Sequence, residues 1–184
     1  QILSTFGING FYWMGFIFLG GFIIVYSIQS NYWTQVEVNN EFLIIMLMES
    51  VFWAVILYHI MSNMHILLML PTGKMLVQQV TLAVGAGIYE EMLFRVILIY
   101  VISSILGFIF LWEKRLQYVI AMVISAGIFS SFHFIGDYGD YFSFNIFMVR
   151  FIAGIVLGLL YFARGFGITA WTHSIYDLII VTRI

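Results

Sequence analysis

Glu90, Glu91, Arg95, His133, His173 and Asp177 are ionisable side chains set in stretches that are otherwise almost entirely apolar. Such a set can abstract a proton, stabilise an oxyanion or hold a divalent cation. Only 9% of residues are charged and 63% are apolar, and a charge at bilayer depth costs about 3 kcal/mol on insertion scales. Groups retained against that penalty are read as a polar active site or an ion pathway inside a helical membrane bundle.

Spacing divides the set. In GIYEEMLFRVIL, Glu91 and Arg95 lie four residues apart and share a helix face. Arginine can grip a carboxylate with two parallel hydrogen bonds, which lowers the penalty of burying either charge. Glu90 projects about 100° away and has no local partner, as suits a general base. Glu91 and Arg95 then brace the helix, and the plainer alternative makes all three a packing cluster. His173 and Asp177 in WTHSIYDL are again four apart. An Asp one turn from a His can orient the ring, share a metal or share a water. His133 ends the span AMVISAGIFSSFHF. His59 and His65 are read as helix-packing hydrogen bonders. Glu49 and Arg150 are read as structural charges that pair with each other, or as an arginine reaching to a surface. No HExxH or GxSxG motif occurs.

These side chains need helices to position them. The chain has 184 residues, no cysteine, one proline and 16 glycines, with a mean hydropathy of +1.06. A soluble domain of this length could not hide so much apolar surface, so the expected fold is all-α: a polytopic transmembrane helical bundle. The net charge of -2 argues against nucleic acid as a partner. The absence of cysteine excludes disulfides and thiolate chemistry. No signal-peptide pattern is read, and Gln1 suggests that residues are missing at either end.

Candidate spans fall at 11–28, 42–61, 76–111, 117–134, 143–163 and 168–182, six or seven in all. The segment 76–111 would be roughly 50 Å of helix against a hydrocarbon core of about 30 Å. It is then either one long tilted helix or two pieces, and Gly85 and Gly87 offer a break just before the glutamates. Lys74, Lys114, Arg115 and Arg164 lie in or beside loops, whereas 29–41 and 135–142 carry acids without Lys or Arg. The positive-inside rule puts the first group in the cytoplasm. Both ends of 76–111 would then face one side, which predicts a broken or re-entrant element. Residues 1–184 are expected to form a single integral membrane domain with its chemical core at about 76–182.

Three motifs occur in order: Glu90-Glu91-Met92-Leu93-Phe94-Arg95, Phe129-Ser130-Ser131-Phe132-His133 and His173-Ser174-Ile175-Tyr176-Asp177. This series (EExxxR, FxxxH, HxxxN or HxxxD) resembles the CPBP family of intramembrane proteases, also called the CAAX-protease and bacteriocin-processing (Abi) family. The likeness covers about residues 80–180. It implies an endopeptidase that cuts a membrane-associated protein or peptide. It assigns water activation to Glu90 and water holding to His133. His173 and Asp177 are assigned to oxyanion stabilisation or metal binding, with Glu91 and Arg95 in support.

An ionised Asp177 cannot donate to an oxyanion as Asn would. It must be protonated, orient His173 or bind a cation. That keeps zinc as a candidate cofactor, with Glu90, His133, His173 and Asp177 as candidate ligands. The resemblance also implies membrane lipids and other membrane proteins as partners, and the small size points to a bacterial cytoplasmic membrane. The rivals are a catalytically silent scaffold or immunity factor, and a proton or ion transporter. Discontinuous inverted repeats would favour the transporter, and none is found.

Overall fold

The computed structural model describes residues 39–62, 76–135 and 140–182, with Ile23 and Ser27 as isolated helical positions. All of its regular elements are helical. The described helices are α1 (Asn40–Ser62), α2 (Leu76–Glu91), a π-helical stretch (Met92–Leu98), α3 (Ile99–Phe110), α4 (Lys114–Phe132), α5 (Phe144–Arg164) and α6 (Phe166–Thr182). Four stretches are long and apolar enough to cross a membrane: Asn40–Ser62, Ala83–Phe110, Lys114–Phe132 and Phe144–Arg164. The 17 residues of α6 give about 26 Å of helix, slightly less than the hydrocarbon thickness. The expected count of six or seven spans is therefore not reached among the described residues. The candidate span at 11–28 lies outside them, apart from Ile23 and Ser27.

The break expected within 76–111 is absent. Residues 76–110 run as one continuous helix, with right-handed backbone at Glu91, Leu98 and Ile99. Its irregularity is a single π-helical stretch that begins directly after Glu91. Such bulges are frequent at functional sites. A continuous helix puts Leu76 and Phe110 at opposite ends, unlike the expected element that enters and returns.

Helix ends follow local chemistry. Leu111 takes a left-handed conformation (φ 53°) and donates its N–H to the Gly107 carbonyl, closing α3. Gly165 (φ 83°) turns the chain from α5 into α6, a conformation that glycine adopts without strain.

In the packing, α6 lies against α2, α1 and α5, while α4 lies between α3 and α5. One core cluster joins Ala54, Leu57 and Met61 of α1 to Val149, Ala153 and Leu157 of α5, with Tyr176 of α6 among them. Hydroxyls stitch the helices where apolar side chains give no direction. Thr172 donates to the Ser50 carbonyl (3.4 Å), Ser50 to the Ile168 carbonyl (3.5 Å) and Ser130 to the Phe147 carbonyl (2.7 Å). The outward faces of α1 and α3 expose large apolar side chains such as Phe42, Met48, Phe52, Tyr100 and Phe108, as lipid contact allows.

Candidate active site

Three helical segments supply the central cluster. The end of α2 carries Glu90 and Glu91, the π-helical stretch carries Arg95, and the middle of α6 carries His173 and Asp177. The expected i,i+4 pair is present: Arg95 Nε lies 3.0 Å from Glu91 Oε2, with side-chain exposures of 2% and 0%. Arg95 also donates from Nη2 to the Gly154 carbonyl (3.4 Å) and lays its guanidinium 4.6 Å from the centre of the Phe129 ring. A buried arginine with a carboxylate, a carbonyl and an aromatic face around it is held by three different elements.

The imidazole of His173 inserts between the two adjacent acids. Its Nδ1–H donates to Glu91 Oε1 at 2.7 Å, since an ionised carboxylate can only accept. Its Nε2 lies 3.9 Å from Glu90 Oε2 and 3.6 Å from Asp177 Oδ2. Glu91 therefore orients the ring, a role that the one-turn spacing had left open for Asp177. Glu90 and Asp177 remain partly accessible (25% and 29%), in contrast to the sealed Glu91.

This arrangement depends on close helix approach. A Cβ added at Gly87 would lie 2.7 Å from the Ser174 backbone nitrogen and 2.9 Å from its Cα. Gly87 is thus a contact point between α2 and α6, one turn before Glu91 and facing the neighbour of His173. The Ser174 hydroxyl reinforces the contact by donating to the Val84 carbonyl (3.4 Å).

His133 stands just beyond the last turn of α4, and no direct contact joins it to Glu90 among the described residues. Its Nδ1–H donates to the Phe129 carbonyl (2.9 Å), which leaves Nε2 as an acceptor. Phe129 links it to the cluster. The Phe129 ring meets His133 edge-on at 4.9 Å and His173 at 6.0 Å between centroids. Sequence reasoning gave Phe129 no role of its own, although its place in FxxxH was a signal. Nor did it foresee the Ser125 hydroxyl donating to the Phe94 carbonyl inside the π-helical stretch (2.6 Å).

The remaining intramembrane charges pair differently from expectation. Glu49 takes Arg164 in a two-pronged bond (2.5 Å on each prong), and Arg150 takes Asp140 (2.5 Å). Arg150 and Arg164 are 14 residues apart on α5, or about 21 Å, so one acid on α1 can reach only one of them. His59 bonds the Val55 carbonyl of its own helix (3.0 Å), and His65 lies outside the described residues.

Zinc needs three or four ligand atoms about 2 Å from one point. No group of three His, Asp or Glu side chains among the described residues meets that requirement. Glu90, His133, His173 and Asp177 as arranged do not form a zinc centre, because no three of them converge on one point among the described residues.

A family model described as type II CAAX prenyl endopeptidase Rce1-like matches residues 72–179, more than half of the chain. No curated protein and no solved structure matches. The family is one of membrane proteases acting on peptide or protein substrates, and the first two motifs lie on or at the end of long apolar helices, with the third on the shorter α6. By that match, the chain belongs to the Rce1-like type II CAAX prenyl endopeptidase family.

Proposed function

We propose that this chain is an intramembrane endopeptidase with its protease core at about 76–182 and Glu90 as the general base. The observation that carries the reading is the gap between Glu90 Oε2 and His173 Nε2. At 3.9 Å it is too long for a direct hydrogen bond and suited to one water that touches both.

In this mechanism Glu90 takes a proton from that water, and the hydroxide adds to the scissile carbonyl carbon. The oxyanion accepts from Nε2–H of His173, whose ring is held by Glu91 and, through it, by Arg95. The tetrahedral intermediate then collapses and the C–N bond breaks. Glu90 passes its proton to the departing amine, leaving one new carboxylate and one new amine. His133, linked to the cluster by the Phe129 ring, supports water holding through its free Nε2 acceptor. Asp177 flanks the imidazole beside Glu90 and accepts from a substrate amide N–H.

The test is Glu90→Gln, which removes the base at nearly constant shape. Cleavage of a quenched lipopeptide should fall by about 10²–10⁴-fold with an unchanged melting temperature. Retained turnover would remove Glu90 from the mechanism.

A further inference from the structure

Arg150 is a partly buried cation that the mechanism above does not use. It lies in the second turn of α5, and its side chain is 12% exposed. It makes a one-pronged contact, Nη2 to Asp140 Oδ2 at 2.5 Å, with a half-exposed partner. Its Nη1 is buried and has no hydrogen-bond partner among the described residues. An unmatched buried donor is costly, and a guanidinium is built to hold a carboxylate with two prongs.

Its position ties it to the site. Asp140 donates its backbone N–H to the His133 carbonyl (3.0 Å), and the guanidinium lies 5.4 Å from the ring centre of Phe134, the next residue. An anion held there would lie beside the segment that follows His133.

We propose that Arg150 is the substrate's anion-recognition residue: a peptide carboxylate displaces Asp140 and takes both Nη2 and Nη1. Asp140 occupies the place in the absence of substrate and is released when the two-pronged pair forms. The carboxylate is either the free C-terminus or an acidic side chain close to it. This inference rests on the endopeptidase reading.

Three S-farnesylated quenched peptides test it on the full chain in detergent: one with a free C-terminal carboxylate, its carboxamide, and the carboxamide with Asp as its last residue. The wild-type protein should cleave the free acid about tenfold or more faster in kcat/KM than the carboxamide, as a charge-assisted contact implies. The Asp-containing peptide identifies which carboxylate source is accepted.

Arg150→Met should bring the acid-to-amide ratio close to one, mostly through KM. Asp140→Asn should move it the other way, because the competitor is weakened. A purely structural ion pair would make both variants lose activity together on all three peptides, and that outcome overturns the proposal. So does a wild-type protein that cleaves acid and amide equally, although the protease reading then survives. Cleavage of none of the peptides overturns the protease reading and this inference with it.

Discussion

Gly87→Ala is the most direct test of how the site is assembled. The added Cβ would meet the backbone of Ser174 at 2.7 Å (N) and 2.9 Å (Cα). Ordinary contact begins near 3.4 Å, so α6 must retreat locally by roughly 0.7 Å, since backbone cannot rotate aside as a side chain can. His173 is the next residue back along α6. Moving it by that amount stretches its 2.7 Å bond to Glu91 to the limit of hydrogen bonding and opens the gap to Glu90. Overpacking of this kind costs about 1–3 kcal/mol. A displacement on the order of 1 Å at a reacting group costs about 10²-fold in rate. Gly85→Ala is the control, since nothing lies within 4 Å of its Cβ position and alanine favours the helix by about 1 kcal/mol. Turnover of a quenched lipopeptide would be measured per folded molecule, beside thermal unfolding, for both variants. The prediction is about a hundredfold loss for Gly87→Ala and near wild-type turnover for Gly85→Ala. Equal turnover in the two variants would refute the close-approach argument.

Removing one member of the buried ion pair should be costly. Arg95→Leu leaves the sealed Glu91 with only its bond to His173, and a loss of up to about 3–5 kcal/mol is expected. Adding Glu91→Gln should restore part of it, as denaturant or thermal unfolding would record. Stripping divalent metal with a chelator should leave proteolysis unchanged, because the described acids and histidines lack a zinc-like arrangement. Activity lost to the chelator and recovered with zinc would contradict that. Glu90→Gln completes the set through the rate loss at constant stability already described.

Local contacts were legible in the sequence wherever helix spacing decides them. Glu91 with Arg95, and His173 with Asp177, are each four apart and do face each other in the structure (3.0 and 3.6 Å). Long apolar runs also identified the elements that became α1 and α3 to α6. Contacts between elements were not legible. The grip of Glu91 on Nδ1 of His173 joins residues 82 positions apart, and no spacing rule reaches that far. Glycine was ambiguous for a physical reason: a missing Cβ permits either a bend or a close approach. Gly87 was read as a bend and serves a close approach. Glu49 had two candidate cations on one helix, and only their height along α5 separated them.

Composition and short-range spacing alone determined an all-helical membrane protein with charges on three apolar segments, because bilayer insertion and helix geometry act locally along the chain. Which acid meets which histidine was decided by the tertiary structure. It depends on how closely α2, α4 and α6 can approach, and that is set by the absence of a single Cβ at Gly87, the ring of Phe129 and the burial of Arg95, none of which has a local signature.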